Sequence, residues 1–229
     1  MDQDKNESPF NPLPMIVWVL VLPLVAMELV LNLGGAGLVG GPEAIGWRLQ
    51  AVERFALFPE LLRYQWEYGG QPYPDLARLV TYPVIHSSFS QTLFAVVLIL
   101  ALVKMVAEVF RWWAVLVVFF GAGIAGGLAY GLLVPGLKSA LLGAYPPLYG
   151  LIGAFTFLLW VNLARSGSNQ FRAFSLIGFL LFFQLVYGLI FGGNWVWVAE
   201  VTGFVTGFLL SFFVSPGGWA RVRDKIRQR

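Results

Sequence analysis

Residues 141–155 read LLGAYPPLYGLIGAF. The apolar run continues to about residue 164, long enough to cross hydrocarbon, so this stretch opens a membrane helix. Gly143 marks the entry, and two consecutive prolines, Pro146 and Pro147, follow Tyr145. Proline suits the first turn of a helix, where its missing N–H has no intrahelical partner. A glycine, a phenol and two imino acids at the start of a bilayer helix pose a question. The segment is either a capped helix end or a place where chemistry sits or once sat.

The remainder of the chain fixes the setting. Of its 229 residues 58% are hydrophobic and only 12% charged, with a mean hydropathy of +0.74. A soluble domain of this size cannot hide that much apolar surface, so the fold class is an all-α polytopic membrane protein. Six spans are expected at about 14–33, 82–106, 112–134, 143–164, 172–192 and 195–215. The expected organisation is a polar N-terminal tail at 1–13, a membrane domain at 14–216 and a basic tail at 217–229. The N-terminus, MDQDKNESPFNPLP, is acidic and lacks the features of a secretory signal, so the first span is read as retained.

There are no cysteines, which removes disulfides, Cys-ligated metals and a Cys nucleophile. A single histidine, His86, excludes a multi-His metal site, and neither metal nor cofactor is expected. The net charge of +3 gives no basis for nucleic-acid binding; five of the fifteen basic residues lie between Arg221 and Arg229, as a juxtamembrane anchor would. Arg111 flanks the second junction and Arg165 and Arg172 the fourth, against only Lys138 at the third and none at the fifth. This asymmetry places both termini in the cytoplasm.

The first loop, 34–81, is too long for a turn. After GGAGLVGG it places Ile45, Leu49, Val52, Phe55 and Ala56 at helical spacing, with Arg48 and Glu53 on other faces. One or two amphipathic helices are expected there, lying in the interface or packed on the rim of the bundle. Gly123 with Gly127, and Gly203 with Gly207, are spaced for close helix packing. Four polar residues fall in or near apolar spans: Glu28, Glu108, Gln184 and Glu200. Glu28 and Glu108 stand near span ends and reach the interface; Glu200 is deeper and requires a partner or a role.

The six spans, the long first loop and the marks in spans two, four and six resemble the rhomboid superfamily of intramembrane serine proteases. The resemblance covers about residues 14–216. It implies a serine at the start of span four, a histidine in span six, and an oxyanion site helped by a His and an Asn in span two. The span-six motif appears as Ala199-Glu200-Val201-Thr202-Gly203-Phe204-Val205-Thr206-Gly207, with Glu200 at the histidine position. The span-four motif appears as Gly143-Ala144-Tyr145-Pro146, then Tyr149 and Gly153, with Tyr145 at the nucleophile position. In span two His86 is kept, while Gln91 and Ala95 occupy the second His and the Asn positions. The first-loop Trp-Arg pair appears as Ala77-Arg78.

Serine needs an adjacent base, and the tetrahedral oxyanion needs aimed donors. Tyr145 carries a far larger ring, Pro146 lacks an N–H, and Ala95 cannot donate. No catalytic residue is therefore expected. An alternative serine beside His86 (Ser90 at i+4, or Ser139 before span four) is weighed and set below a satisfied polar contact. Spans four and six pack together in this fold, so Tyr145 and Glu200 are expected to hydrogen-bond and fill the old site, in preference to contacting a ligand directly.

The resemblance implies a pseudoprotease of a bacterial inner membrane. It would bind transmembrane helices of client proteins in the bilayer, in quality control, trafficking or assembly. The gap between spans two and five is the expected point of entry, with Phe179, Phe182, Phe183 and Gln184 as candidate contacts. Two alternatives stand beside it: an active intramembrane serine endopeptidase, and an accessory subunit of a larger membrane complex. A transporter is disfavoured because the halves show no self-similarity.

Overall fold

The structure, a computed structural model, describes residues 13–69, 73–134, 139–191 and 194–216. The two expected tails (Leu13 apart) and Lys138 lie outside the described residues.

Nine helices are present among the described residues: α1 (Met15–Gly35), α2 (Trp47–Phe55), α3 (Pro59–Tyr68), α4 (Tyr73–Thr81), α5 (Phe89–Ala107), α6 (Trp112–Leu133), α7 (Tyr145–Arg165), α8 (Ser175–Phe191) and α9 (Val196–Val214). Five of them, α1, α5, α6, α7 and α9, are long and apolar enough to cross a membrane. The expected fifth span is α8, whose 17 residues give about 25 Å of helix, the short end of the spanning range. The molecule is a polytopic all-helical membrane protein.

α7 is the axis of the bundle. It packs against α5, α6 and α9, and its Leu148, Leu151, Ile152, Ala154 and Phe157 are buried. α1 lies outside this group and packs on α5. α8 is attached chiefly through the 3-10 turn Gln170–Phe174, which packs on α7. Lipid drives no helix association by itself, so backbones must come close. A Cβ added at Gly207 would run into the Gly150 carbonyl, and one at Gly203 into the Pro146 carbonyl. Gly203 and Gly207 thus mark the close approach of α9 to α7.

The span boundaries agree within a few residues except at α5, expected from about 82 and observed from Phe89. Pro83 sits in a 3-10 turn, Tyr82–Val84, and Ile85 and Ser88 are extended. Ser88 caps the helix, accepting from the Gln91 N–H. The amphipathic stretch after the glycine run holds two helices, α2 and α3, as expected, and a third, α4, follows it. Pro59 and Pro74 each fall in the opening turn of one of them, a helix-start signal the spacing argument overlooked.

The expected apolar stripe of that loop divides. Val52 and Phe55 pack with buried Leu31, Ala51 and Ile85, whereas Ile45 and Leu49 are 69% and 65% exposed. α2 is a rim helix with an outward apolar edge. Trp47 explains part of the glycine run before it: its ring lies against Gly34 and Gly40, and Gly40 has a φ of +82°. Arg78, on α4, donates to the Glu53 and Ala56 carbonyls at 2.7 and 2.8 Å, and Thr81 to that of Phe55 at 3.1 Å. These bonds satisfy carbonyls at the end of α2. Arg63 on α3 does the same for α6, donating to Gly131 O at 3.0 Å and to Val134 O.

Candidate functional site

The backbone before α7 is held from three directions. Leu141 pairs with Leu57 through two hydrogen bonds of 2.8 and 3.0 Å. The Gly143 N–H donates to Tyr82 O at 3.0 Å, with a φ of +96° that favours glycine. The Ala144 N–H donates to His86 Nε2 at 3.2 Å. A Cβ at Gly143 would lie 3.3 Å from His86 Cδ2 and 3.5 Å from Tyr145 Cδ2. Imidazole and phenol therefore close on the same spot.

Accepting at Nε2 makes His86 neutral, with its proton on Nδ1. His86 precedes α5 and is 1% exposed. Burial pushes its pKa down to about 4, against the pull of the nearby Glu28 carboxylate. It acts as an acceptor for the α7 entry loop.

The amino end of a helix normally offers several free N–H groups to an anion. Here Pro146 and Pro147 have none, and that of Ala144 is already used. Pro146 and Pro147 are buried against α6: Pro147 lies over Gly123, and a Cβ at Gly126 would stand 3.1 Å from Pro146 Cβ. The proline pair is wedged into the bundle, and the Leu148 N–H already donates to Ala144 O at 2.9 Å, which leaves the Tyr145 N–H as the other donor of that first turn.

Glu200, on α9, is 7% exposed. Its carboxylate accepts from Gln184 Nε2 of α8. Tyr145 and Tyr149 lie near it, but among the described residues neither hydrogen-bonds to it. The expected Tyr145–Glu200 bond is thus replaced by Gln184–Glu200. The reason is geometric: α8 stands beside α9 at this depth, and an amide donor is there to be taken. Gln184, a candidate client contact, is thus engaged inside the bundle, while Phe179, Phe182 and Phe183 are 55–60% exposed.

The structure thus brings together His86, Gly143, Tyr145, Pro146 and Tyr149 with Glu200, and it places Gly153, Gly203 and Gly207 at the crossing beneath them. Gln91 does not join them. It is exposed and accepts from Ser87 Oγ at 2.8 Å. Ala95 is fully buried in the apolar core, and Arg78 acts at the end of α2. Among the described residues neither alternative serine hydrogen-bonds to His86. His86 precedes the helix, so Ser90 does not face it at i+4, and Ser139 is 3.0 Å from the Tyr130 hydroxyl.

The largest departure is at Glu28. Far from reaching the interface, it is 5% exposed. Arg48 Nη2 donates to its Oε1 at 2.7 Å, Asn32 Nδ2 to Oε1 at 2.5 Å and Thr92 Oγ1 to Oε2 at 2.7 Å. Arg48 also donates to the His86 carbonyl at 2.9 Å. α1, α2, α5 and the His86 segment meet in this one network. The signal was present: a carboxylate in an apolar run calls for a counterion. Arg48 supplies it from the helix whose amphipathic pattern had assigned it outward. Among the described residues no three His, Asp or Glu side chains gather as a metal-ligand set.

Long apolar helices around a glycine-rich crossing, with a polar cluster at the start of α7, define a polytopic helical membrane protein. The chain belongs to the rhomboid family: the Rhomboid domain matches residues 73–217, from α4 through α9. α1 to α3 precede the matched region. No curated protein matches the chain.

Proposed function

We propose that this rhomboid-family protein is a pseudoprotease that binds transmembrane segments of other membrane proteins. The observation that carries the reading is the α7 entry. A nucleophile needs a free neighbouring base, and an oxyanion needs converging N–H donors. At this entry Tyr145 stands where the family places its serine. Glu200 is engaged by Gln184 and His86 by Ala144, and the first turn lacks two N–H groups at Pro146 and Pro147.

Binding is supported by α8. It packs sparsely on the bundle and leaves Phe179, Phe182 and Phe183 outward, so a client helix can be accommodated between α5 and α8 without dismantling the core. The setting proposed is a bacterial inner membrane with both termini cytoplasmic, since Arg111, Arg165 and Arg172 lie at one end of the bundle. An accessory-subunit role differs only in the permanence of the partner.

Photo-crosslinking in native membranes tests this. A benzophenone residue at Phe182 is expected to capture discrete membrane proteins, and one at Leu22, an exposed position on α1, is not. Equal capture at both positions would contradict a client site beside α8.

A further inference from the structure

At the other end of the bundle from the α7 entry, the end of α5, the second half of α7 and the residues after α9 line a cavity of about 670 Å³. Its apolar lining includes Phe155, Phe157 and Leu158. Its polar groups are Glu108 at the end of α5, Asn162 and Arg165 at the end of α7, and Ser215 after α9. Ser215 is 7% exposed, and its buried Oγ has no hydrogen-bond partner among the described residues. Glu108 and Arg165 are exposed, and neither forms an ion pair among the described residues, where the only salt bridge is Arg48–Glu28.

We propose that this cavity binds a phospholipid with a zwitterionic, primary-amine headgroup, of the phosphatidylethanolamine type. The site lies at the basic end of the bundle, where the chain must cross a headgroup layer. Arg165 with Asn162 matches a phosphate, which takes several donors. Glu108 matches an ammonium that donates hydrogen bonds. A purely anionic headgroup would meet the Glu108 carboxylate, and a quaternary choline has no N–H to offer it. The apolar lining takes acyl chain, which a water-soluble phosphate ester lacks. None of these residues belongs to the α7 entry, so this site stands independently of the pseudoprotease reading.

The test is lipid retention by the full-length protein, read by native mass spectrometry after titration with dioleoyl phosphatidylethanolamine, phosphatidylcholine and phosphatidylglycerol. The wild type is expected to retain the ethanolamine lipid about tenfold better than the other two. Glu108→Gln is expected to shift the preference to phosphatidylglycerol, and Arg165→Gln to bring all three lipids to one level. Soluble glycerophosphoethanolamine at equal concentration is expected not to compete. Equal retention of the three lipids by the wild type would mean annular lipid only and would overturn the proposal. So would a preference that both variants leave unchanged, or competition by the soluble ester. Both side chains are exposed, and unchanged thermal unfolding of each variant confirms that the readout reports binding.

Discussion

Arg48→Met is expected to lower stability by about 3 kcal/mol, because it strands the Glu28 carboxylate inside the bundle. Breaking a buried ion pair by removing one partner typically costs about 3–5 kcal/mol. The lower end applies because the Arg48 side chain is 26% exposed against 6% for Glu28. Asn32 and Thr92 remain as donors, but neither neutralises a charge. The variant also removes the donor to the His86 carbonyl, so the segment leading into α5 loosens with it. Glu28→Leu in the same background is expected to restore most of the loss, since two apolar residues leave no uncompensated charge. Thermal unfolding in mild detergent checks both. A single variant that melts with the wild type would show that the pair carries no stability.

Gly207→Leu is expected to abolish folding, and Gly207→Ala to cost about 3 kcal/mol, the upper end of ordinary overpacking. A Cβ at 207 would stand 2.6 Å from both the Cα and the carbonyl carbon of Gly150. No rotamer relieves that contact, because both sides are backbone. Gly153 is equally confined, with Phe208 N 2.7 Å from its added Cβ. The crossing of α7 and α9 therefore relaxes only by moving the helices apart, which also moves Glu200 away from the α7 entry. Gly178 on α8 is the control: nothing lies within 4 Å of its added Cβ. Gly178→Ala is expected to be neutral or slightly stabilising, because alanine is the better helix former. Size-exclusion profiles and melting temperatures separate the two sites. Equal tolerance at 207 and 178 would contradict the crossing.

These two cases show what was legible in the sequence. Gly203 and Gly207 could be read because a four-residue spacing of small residues in an apolar run has one physical use. The long helices could be read for the same reason, length and hydropathy being local properties. Pairings between distant elements could not. Glu28 and Arg48 are twenty positions apart, and the amphipathic pattern of α2 gives no direction for a long, flexible guanidinium. The Tyr145–Glu200 bond was a fair inference from helices that do pack together. It failed because the competing donor, Gln184, comes from α8, whose position next to α9 no periodicity records. The start of α5 was misplaced where apolar residues continue through Pro83 into a 3-10 turn, since hydropathy does not distinguish a helix from an extended apolar segment.

Those pairings surround the α7 entry, and the most direct test of the proposed pseudoprotease reading is on that entry. The purified protein is reconstituted with a transmembrane reporter substrate and a serine-reactive fluorophosphonate probe, beside Tyr145→Phe, Glu200→Gln and His86→Ala variants. The account predicts no cleavage and no labelling by the wild type, indistinguishable from all three variants. Cleavage or labelling by the wild type that any one of these substitutions abolishes would contradict it.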